Sequence, residues 1–277
     1  AQEIAAILNA GSPVKPPAED ASPATSLAGL LAKVRRRTSV DFSGYKEGTL
    51  WRRIKRRMVA TRMETFADYA SYTEHNPEEM DHLFKDILIS VTNFFRDNEA
   101  FGALRTTLSE IVTRKAVGEE LRIWVPGCTT GEEAYSIAIL LAEAMAEHRK
   151  ECRVQIFATD IDTEAMAVAR RGVYAGAAMD DVDEELVRKY FVAIDNGTHF
   201  EVSRRLRDMV VFARQDLTRD PPFLRLDLIS CRNVLIYFAS ELQGRVLSIF
   251  HYALAPDGYL FLGRSEGVYH HDKLFES

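Results

Sequence analysis

The sequence predicts an α/β chain: an all-helical N-terminal domain, then a doubly wound parallel sheet that carries a small inserted β-subdomain. Three observations support this. From Leu27 to about Lys115 the apolar spacing is helical, with few Gly or Pro after Gly48 to interrupt it. Beyond Gly118 strand-like and helix-like segments alternate, the pattern of repeated βα units. Within that region LRIWVPGCTTGEEAYSIAIL, residues 121–140, reads as strand, glycine turn and helix.

The bulk numbers bound the answer. A chain of 277 residues with 47% apolar composition can bury a full core. No apolar run reaches the roughly 18 residues of a membrane span, and AQEIAAILNAG lacks the basic start and long apolar core of a signal peptide. A soluble, cytoplasmic, monomeric protein without direct membrane insertion is expected. Cys128, Cys152 and Cys231 form no CxxC, so neither a disulfide framework nor a zinc knuckle is indicated, and a reducing compartment fits.

Taken in order, residues 1–26 form a flexible tail or linker, because NAGSPVKPPAEDASPATS cannot bury enough surface to hold one fold. A start at Ala1 without Met fits a piece of a longer, multidomain protein. Residues 27–115 form the helical domain. Between Leu27 and Arg62 eleven Lys/Arg face only Asp41 and Glu47, a local balance of +9 that leaves −15 for the rest of a chain totalling −6. In TLWRRIKRRM the residues Leu50, Trp51, Ile54 and Met58 fall within roughly 100° on a helical wheel, leaving Arg52, Arg53, Lys55, Arg56 and Arg57 outside. So many like charges in sequence repel one another, which favours a docking surface for an acidic partner over a merely solvated face. Residues 116–277 form the sheet domain: strands LRIWV, RVQIFATD, VVFARQD, the run LRLDLISCRNVLIYF and GYLFLG, with helices at 132–148, 163–171 and near 240–254. About 172–208 an acidic helix start, DDVDEELVRKYF, and two short strand-like runs around Asp195-Asn196-Gly197 break the βα repeat and read as an inserted subdomain with a hairpin.

The glycine turn is the candidate site. It meets neither the GK[ST] of a phosphate loop nor GxGxxG, since Gly127 and Gly131 are four apart, and it carries Glu132 and Glu133 with no Lys or Arg. That is the wrong sign for a bound phosphate. At the end of the next strand, FATDID, Asp160 is placed to bind ribose hydroxyls, while Asp162 is better placed to cap the following helix. A ligand with ribose and positive charge but no phosphate is S-adenosylmethionine. The two glutamates also favour a helix N-terminus, by roughly 0.3–1 kcal/mol; adjacent helical residues point about 100° apart, so only one need face the ligand.

VTNFFRD (91–97), GCTTGEEAYS (127–136), FATDID (157–162), CRNVLIYF (231–238) and PDGYLFLGRSE (256–266) together resemble the CheR-type chemotaxis protein-glutamate O-methyltransferases, over about residues 27–270. The resemblance implies a Rossmann-like class I S-adenosylmethionine-dependent methyltransferase fold. The implied reaction methylates glutamate side chains on the cytoplasmic domain of methyl-accepting chemoreceptors, with S-adenosylhomocysteine as product. It further implies that Thr92 and Arg96 reach from the helical domain onto the cofactor, that Glu132 meets the α-ammonium and that Asp160 meets the ribose. By the same resemblance Gly127 belongs to the cofactor turn, Asp216 and Leu217 bracket the adenine, Asn233 and Val234 lie near the methionine moiety and sulfonium, and Tyr237 lies beside the transferred methyl. Relatives can carry Asn where this chain has Asp216.

A glutamate carboxylate, with an ordinary pKa near 4.3, is already an ionised nucleophile at neutral pH and needs no general base. Orienting groups are therefore sought: Arg96 to hold the incoming carboxylate, Tyr237 to orient it or the methyl. The competing role for Arg96 is a salt bridge at the domain junction. Cys128 and Cys231 flank the site without an adjacent His and read as small packing residues. Seven histidines show no paired ligand spacing, the neighbours His270 and His271 diverge, and no metal is expected.

The basic face matches an acidic receptor bundle. In some relatives the inserted subdomain adds a strand to a tethering peptide; the short loop AIDNGTH, with one Gly, speaks against that here. The chief alternative is a nucleic-acid methyltransferase, since a basic patch beside Trp51 also suits RNA; against it, the strand that would carry an NPPY-type motif reads CRNV. A non-enzymatic cofactor sensor or scaffold is the third reading.

Overall fold

The computed structural model describes residues 26–116, 118–268 and 274–276, and the chain divides into two compact units after Ile89. The residues of the expected N-terminal tail before Ser26, together with His270 and His271, lie outside the described residues.

The first unit contains α1 (Leu27–Thr38), α2 (Glu47–Thr61), α3 (Phe66–His75) and α4 (Glu78–Ile87). Local chemistry fixes the helix ends. The Ser26 hydroxyl accepts from Gly29 N at 3.1 Å, Thr65 does the same for Asp68 N at 3.1 Å, and α1 stops where Ser39 turns left-handed at φ 63. Leu30, Val34, Phe42, Leu50, Ile54, Tyr69 and Leu83 fill the core. On α2 the apolar stripe packs as the spacing requires, except that Trp51 is only half-buried, edge-on to Phe66 at 5.0 Å.

The expected five-residue basic face of α2 needs correction. Arg57 turns inward: its Nε and Nη2 each donate to Glu79 at 2.8 Å, and the Tyr69 hydroxyl donates to the same carboxylate at 2.9 Å. Glu79 is 4% exposed. Burial and the Glu79 charge push the Tyr69 hydroxyl far above its ordinary pKa. The Arg53 Nε is buried as well, without a hydrogen-bond partner among the described residues. Position 57 sits roughly 60° from Ile54 on the helix, near enough to the packed stripe for a long side chain to fold under it. Of the other cations of α2, Arg52 and Arg56 are exposed and Lys55 is half-buried, with Arg56 3.6 Å from Asp86.

The second unit starts at Ser90 and takes in α5 (Asn98–Arg114), which the helical spacing had grouped with the first domain. Phe101, Leu104, Leu108, Ile111 and Val112 of α5 belong to the same buried cluster as the central strands. Periodicity identifies a helix without saying which core receives it. There follow β1 (Glu120–Pro126), α6 (Glu132–Glu147), β2 (Arg153–Asp160), α7 (Thr163–Arg171), β3 (Val173–Ala175), α8 (Glu184–Tyr190), β4 (Phe191–Ile194), β5 (His199–Val202), α9 (Arg204–Arg207), β6 (Val210–Arg214), β7 (Leu226–Cys231), α10 (Ser240–Ala253) and β8 (Leu254–Leu262). The main sheet is parallel with order β6-β2-β1-β7-β8. Ile123 pairs with Ile156 on one side and Leu228 on the other, and Leu121, Ile123, Trp124 and Val125 are each no more than 1% exposed. A strand buried on both faces and both edges reads as a continuous apolar run, as LRIWV does. Strand order reverses between β1 and β7, so their carboxyl ends open the crevice in which such sheets bind ligands.

The inserted region forms an antiparallel sheet, β3-β5-β4, with β4 and β5 joined through Asn196 (φ 57) and Gly197 (φ 85). Its Tyr174, Tyr190, Phe191 and Val202 are members of the main buried cluster, so the small sheet has no core of its own. The long apolar run after Arg225 is only partly strand: β7 ends at Cys231, and the rest turns through a short 3₁₀ segment, Leu235–Tyr237.

Candidate functional site

The turn after β1 is built by close approach. Gly127, at φ +72, donates to the Thr159 carbonyl at 2.7 Å, and a Cβ there would lie 2.5 Å from Val234 Cγ2. Gly131, at φ +96, would bring a Cβ within 2.9 Å of Ala169 Cβ. Only glycine lets the turn lie between the β7 loop on one side and α7 on the other.

The two glutamates that follow have separate tasks. Glu133 accepts from the Ser230 hydroxyl at 2.7 Å and lies 3.7 Å from Arg232 Nη1. Burial pushes its carboxyl up to about 7, with Ser230 and Arg232 acting in the other direction. Glu132 is buried and accepts from Thr130 Oγ1 at 2.6 Å; burial raises its pKa too. Asp160 ties two loops together, its Oδ2 accepting from Thr129 N at 2.8 Å and its Oδ1 from Asp162 N at 2.9 Å. Burial raises its pKa against the pull of those amides. Asp162 caps α7 through Glu164 N and Ala165 N.

The remaining candidates stand on neighbouring loops. Gln215 N donates to the Asp160 carbonyl at 3.1 Å, which sets Asp216 and Leu217 beside the β2 end. Asp216 Oδ1 accepts from both Thr218 N (2.9 Å) and Thr218 Oγ1 (2.7 Å). Asn233 is left-handed at φ 60, and the half-buried Tyr237 hydroxyl has no hydrogen-bond partner among the described residues. Thr92 and Arg96 belong to the second unit, not to the helical domain from which they were expected to reach. Their segment is anchored by Phe95 N to Ser136 Oγ at 3.0 Å and by Arg232 Nη1 to the Arg96 carbonyl at 2.8 Å. Arg96 itself donates to the Val91 carbonyl at 2.7 Å and makes no ion pair among the described residues. The other four docking candidates and Arg57 lie in the first unit.

Two residues inside the quoted motifs received no role from sequence and bond to the loops that carry the candidates. Arg232, 6% exposed, reaches Arg96, Asp97 (3.5 Å) and Glu133, and lies over the rings of Phe101 and Phe261. Glu266 accepts from Asn233 N and Val234 N at 2.8 and 2.9 Å. An arginine directly after the apolar LISC is the signal for the first, because a buried guanidinium demands a carboxylate. Cys128 and Cys231 are buried packing residues whose thiols burial raises well above the ordinary value.

The donor set selects the ligand. Between Pro126 and Glu133 no Lys or Arg is present, while Glu132 and Asp160 both resist ionisation because of burial. A cation beside them relieves that cost, and a pyrophosphate compounds it. A phosphate-free, cationic adenosine compound therefore fits these residues. Residues 90–277 match the family model of the CheR methyltransferase SAM-binding domain, and residues 25–88 that of the CheR methyltransferase all-alpha domain. Fold and site thus define a class I S-adenosylmethionine-dependent methyltransferase.

Within that class, the chain belongs to the CheR methyltransferase family. It is 32% identical over 249 residues to "Chemotaxis protein methyltransferase 2" of Pseudomonas aeruginosa, covering 88% of this chain and 87% of the relative. It is 31% identical over 252 residues to the "Chemotaxis protein methyltransferase" of Escherichia coli, covering 87% and 84%. Against a 104.1 kDa protein of Rhodobacter capsulatus it is 38% identical over 247 residues, 89% of this chain but only 26% of that relative's length.

Proposed function

We propose that the protein methylates glutamate side chains on the cytoplasmic domain of methyl-accepting chemoreceptors, forming glutamyl methyl esters in chemotaxis adaptation. The observation that carries this reading is Arg96: a guanidinium on an anchored segment, without an ion-pair partner among the described residues, and close enough to Glu133 to favour its ionised form. Such a group complements an incoming carboxylate. The two chemotaxis methyltransferase relatives favour a protein substrate over the nucleic-acid alternative.

S-adenosylmethionine, when bound, supplies a methyl group activated by its sulfonium. Glu132 would meet its α-ammonium, Asp160 its ribose, Asp216 and Leu217 its adenine, Gly127, Asn233 and Val234 its methionine portion, and Thr92 and Arg96 would close over it. The substrate carboxylate is ionised at neutral pH, so no residue has to accept a proton. Arg96 holds that carboxylate, and the Tyr237 hydroxyl, without a hydrogen-bond partner among the described residues, orients it. Orientation of this kind can contribute roughly 7–11 kcal/mol. Arg52, Lys55 and Arg56 dock the acidic receptor helices, and the reaction takes place in the cytoplasm.

The test is methyl transfer from radiolabelled cofactor to purified receptor cytoplasmic domains. Base-labile, volatile label mapped by mass spectrometry to glutamates is expected. Label on polynucleotide instead, or cofactor binding with no transfer to any receptor domain, would overturn the reading.

A further inference from the structure

Beyond β8 the chain turns back on itself and places the Glu266 carboxylate under the loop that leaves β7. Glu266 N donates to the Gly263 carbonyl at 2.9 Å, which closes the turn. The carboxylate then accepts four backbone N–H groups: Asn233 (2.8 Å) and Gly263 (2.8 Å) on Oε2, Val234 (2.9 Å) and Ile236 (3.3 Å) on Oε1. The loop conformation explains the convergence. Asn233 is left-handed at φ 60 and Val234 right-handed at φ −110, ψ −50. Successive residues of opposite hand turn their amides to one side and form an anion-binding concavity. Here the anion is the protein's own side chain.

We propose that Glu266 is a positioning residue: it fills this concavity and thereby fixes Asn233, Val234 and Tyr237 in the methyltransferase site. The proposal deepens the cofactor reading above and rests on it for the identity of the ligand. Without the carboxylate, Asn233 has no reason to stay left-handed, and Val234 no longer sits where the bare Gly127 admits it. The same contact explains Gly263, since a Cβ there would lie 2.7 Å from Glu266 Oε2 and 3.1 Å from Asn233 N. It also means that this concavity takes no anionic part of substrate or cofactor.

Two variants attack the contact differently. Glu266→Gln replaces one acceptor oxygen with a donor; Gly263→Ala keeps the charge and wedges the pair apart. Losing hydrogen bonds to a charged acceptor corresponds to about a tenfold effect or more. In the ligand-free protein, amide hydrogen exchange at Asn233, Val234 and Ile236 should accelerate at least about tenfold in both variants, while Ile123 and Val125 in β1 keep their protection. Calorimetry should show S-adenosylhomocysteine binding about tenfold more weakly. Unchanged exchange at the three loop amides, or freed amides with unchanged affinity, overturns the proposal. Acceleration spread equally over β1 does so too, because it reports general unfolding. If the unaltered protein fails to bind S-adenosylhomocysteine, the cofactor reading falls, and the exchange measurement alone decides the clamp.

Discussion

Arg232 Nη1 reaches both the Arg96 carbonyl and the Glu133 carboxylate, yet the roles of Arg96 and Glu133 separate experimentally. Because Arg96 is assigned to the incoming carboxylate, Arg96→Ala should lower turnover on receptor domains about a hundredfold, a loss typical of a removed positioning contact, with a far smaller change in calorimetric cofactor affinity. Equal losses in both would place Arg96 on the cofactor alone. Glu133 makes a pH prediction. Its folded-state pKa, about 7, lies above its ordinary 4.5, so between those values the native state binds more protons than the unfolded one. Stability is therefore lost as pH rises from about 4.5 to 7, by no more than about 3 kcal/mol from this group, and is flat above. Glu132 and Asp160, shifted the same way, add to the slope. Glu133→Gln keeps the Ser230 bond, so denaturant midpoints measured from pH 5 to 8 should flatten, with the gain appearing at the alkaline end. Sequence displayed the carboxylates of this site because their sign conflicted with a phosphate turn. It did not display Arg232 or Glu266, because their partners lie on other loops and no spacing rule connects them.

At the level of elements, the glycine turn is the least tolerant feature. Gly127→Ala introduces a left-handed alanine whose Cβ lies 2.5 Å from Val234 Cγ2. The conformational and overpacking costs together amount to about 2–4 kcal/mol. Pairing it with Val234→Ala should recover the steric share but not the conformational one, a coupling that a double-mutant cycle of chemical denaturation reads directly. The strands and helices themselves were legible wherever burial was one-sided or complete, as in LRIWV and the helix from Glu132. Two features were not. The apolar run after Arg225 leaves the sheet at Cys231 although its hydropathy continues, since a buried loop beside a site is as apolar as a strand. Arg57 looked like a surface cation because a wheel plots Cα directions, and a long side chain can cover the angle that separates it from the packed face.

For the molecule as a whole, two units are distinct: an all-helical one containing α2 and an α/β one containing the candidate site. Receptor association should slow as ionic strength rises, chiefly through on-rate. Replacing Arg52, Lys55 and Arg56 with Ala should flatten that dependence without lowering the melting temperature of the helical unit. Arg57→Ala should do the reverse, costing the helical unit about 3 kcal/mol by stranding the buried Glu79. The architecture was readable from the change of grammar near Gly118, whereas the position of the division was not, because α5 obeys the helical spacing of one unit while packing in the other.

The small β3-β5-β4 sheet shares its interior with the main domain, and Phe94 stands edge-on between its Tyr174 (5.0 Å) and Phe191 (5.3 Å), two residues before Arg96. A protein cut to lack this piece would lose one wall of the buried cluster that also holds the central strands, so excision should cause collapse rather than trimming. Calorimetric melting should show one peak for strands and appendage alike, and a protease that nicks the Asn196 turn should release no folded fragment.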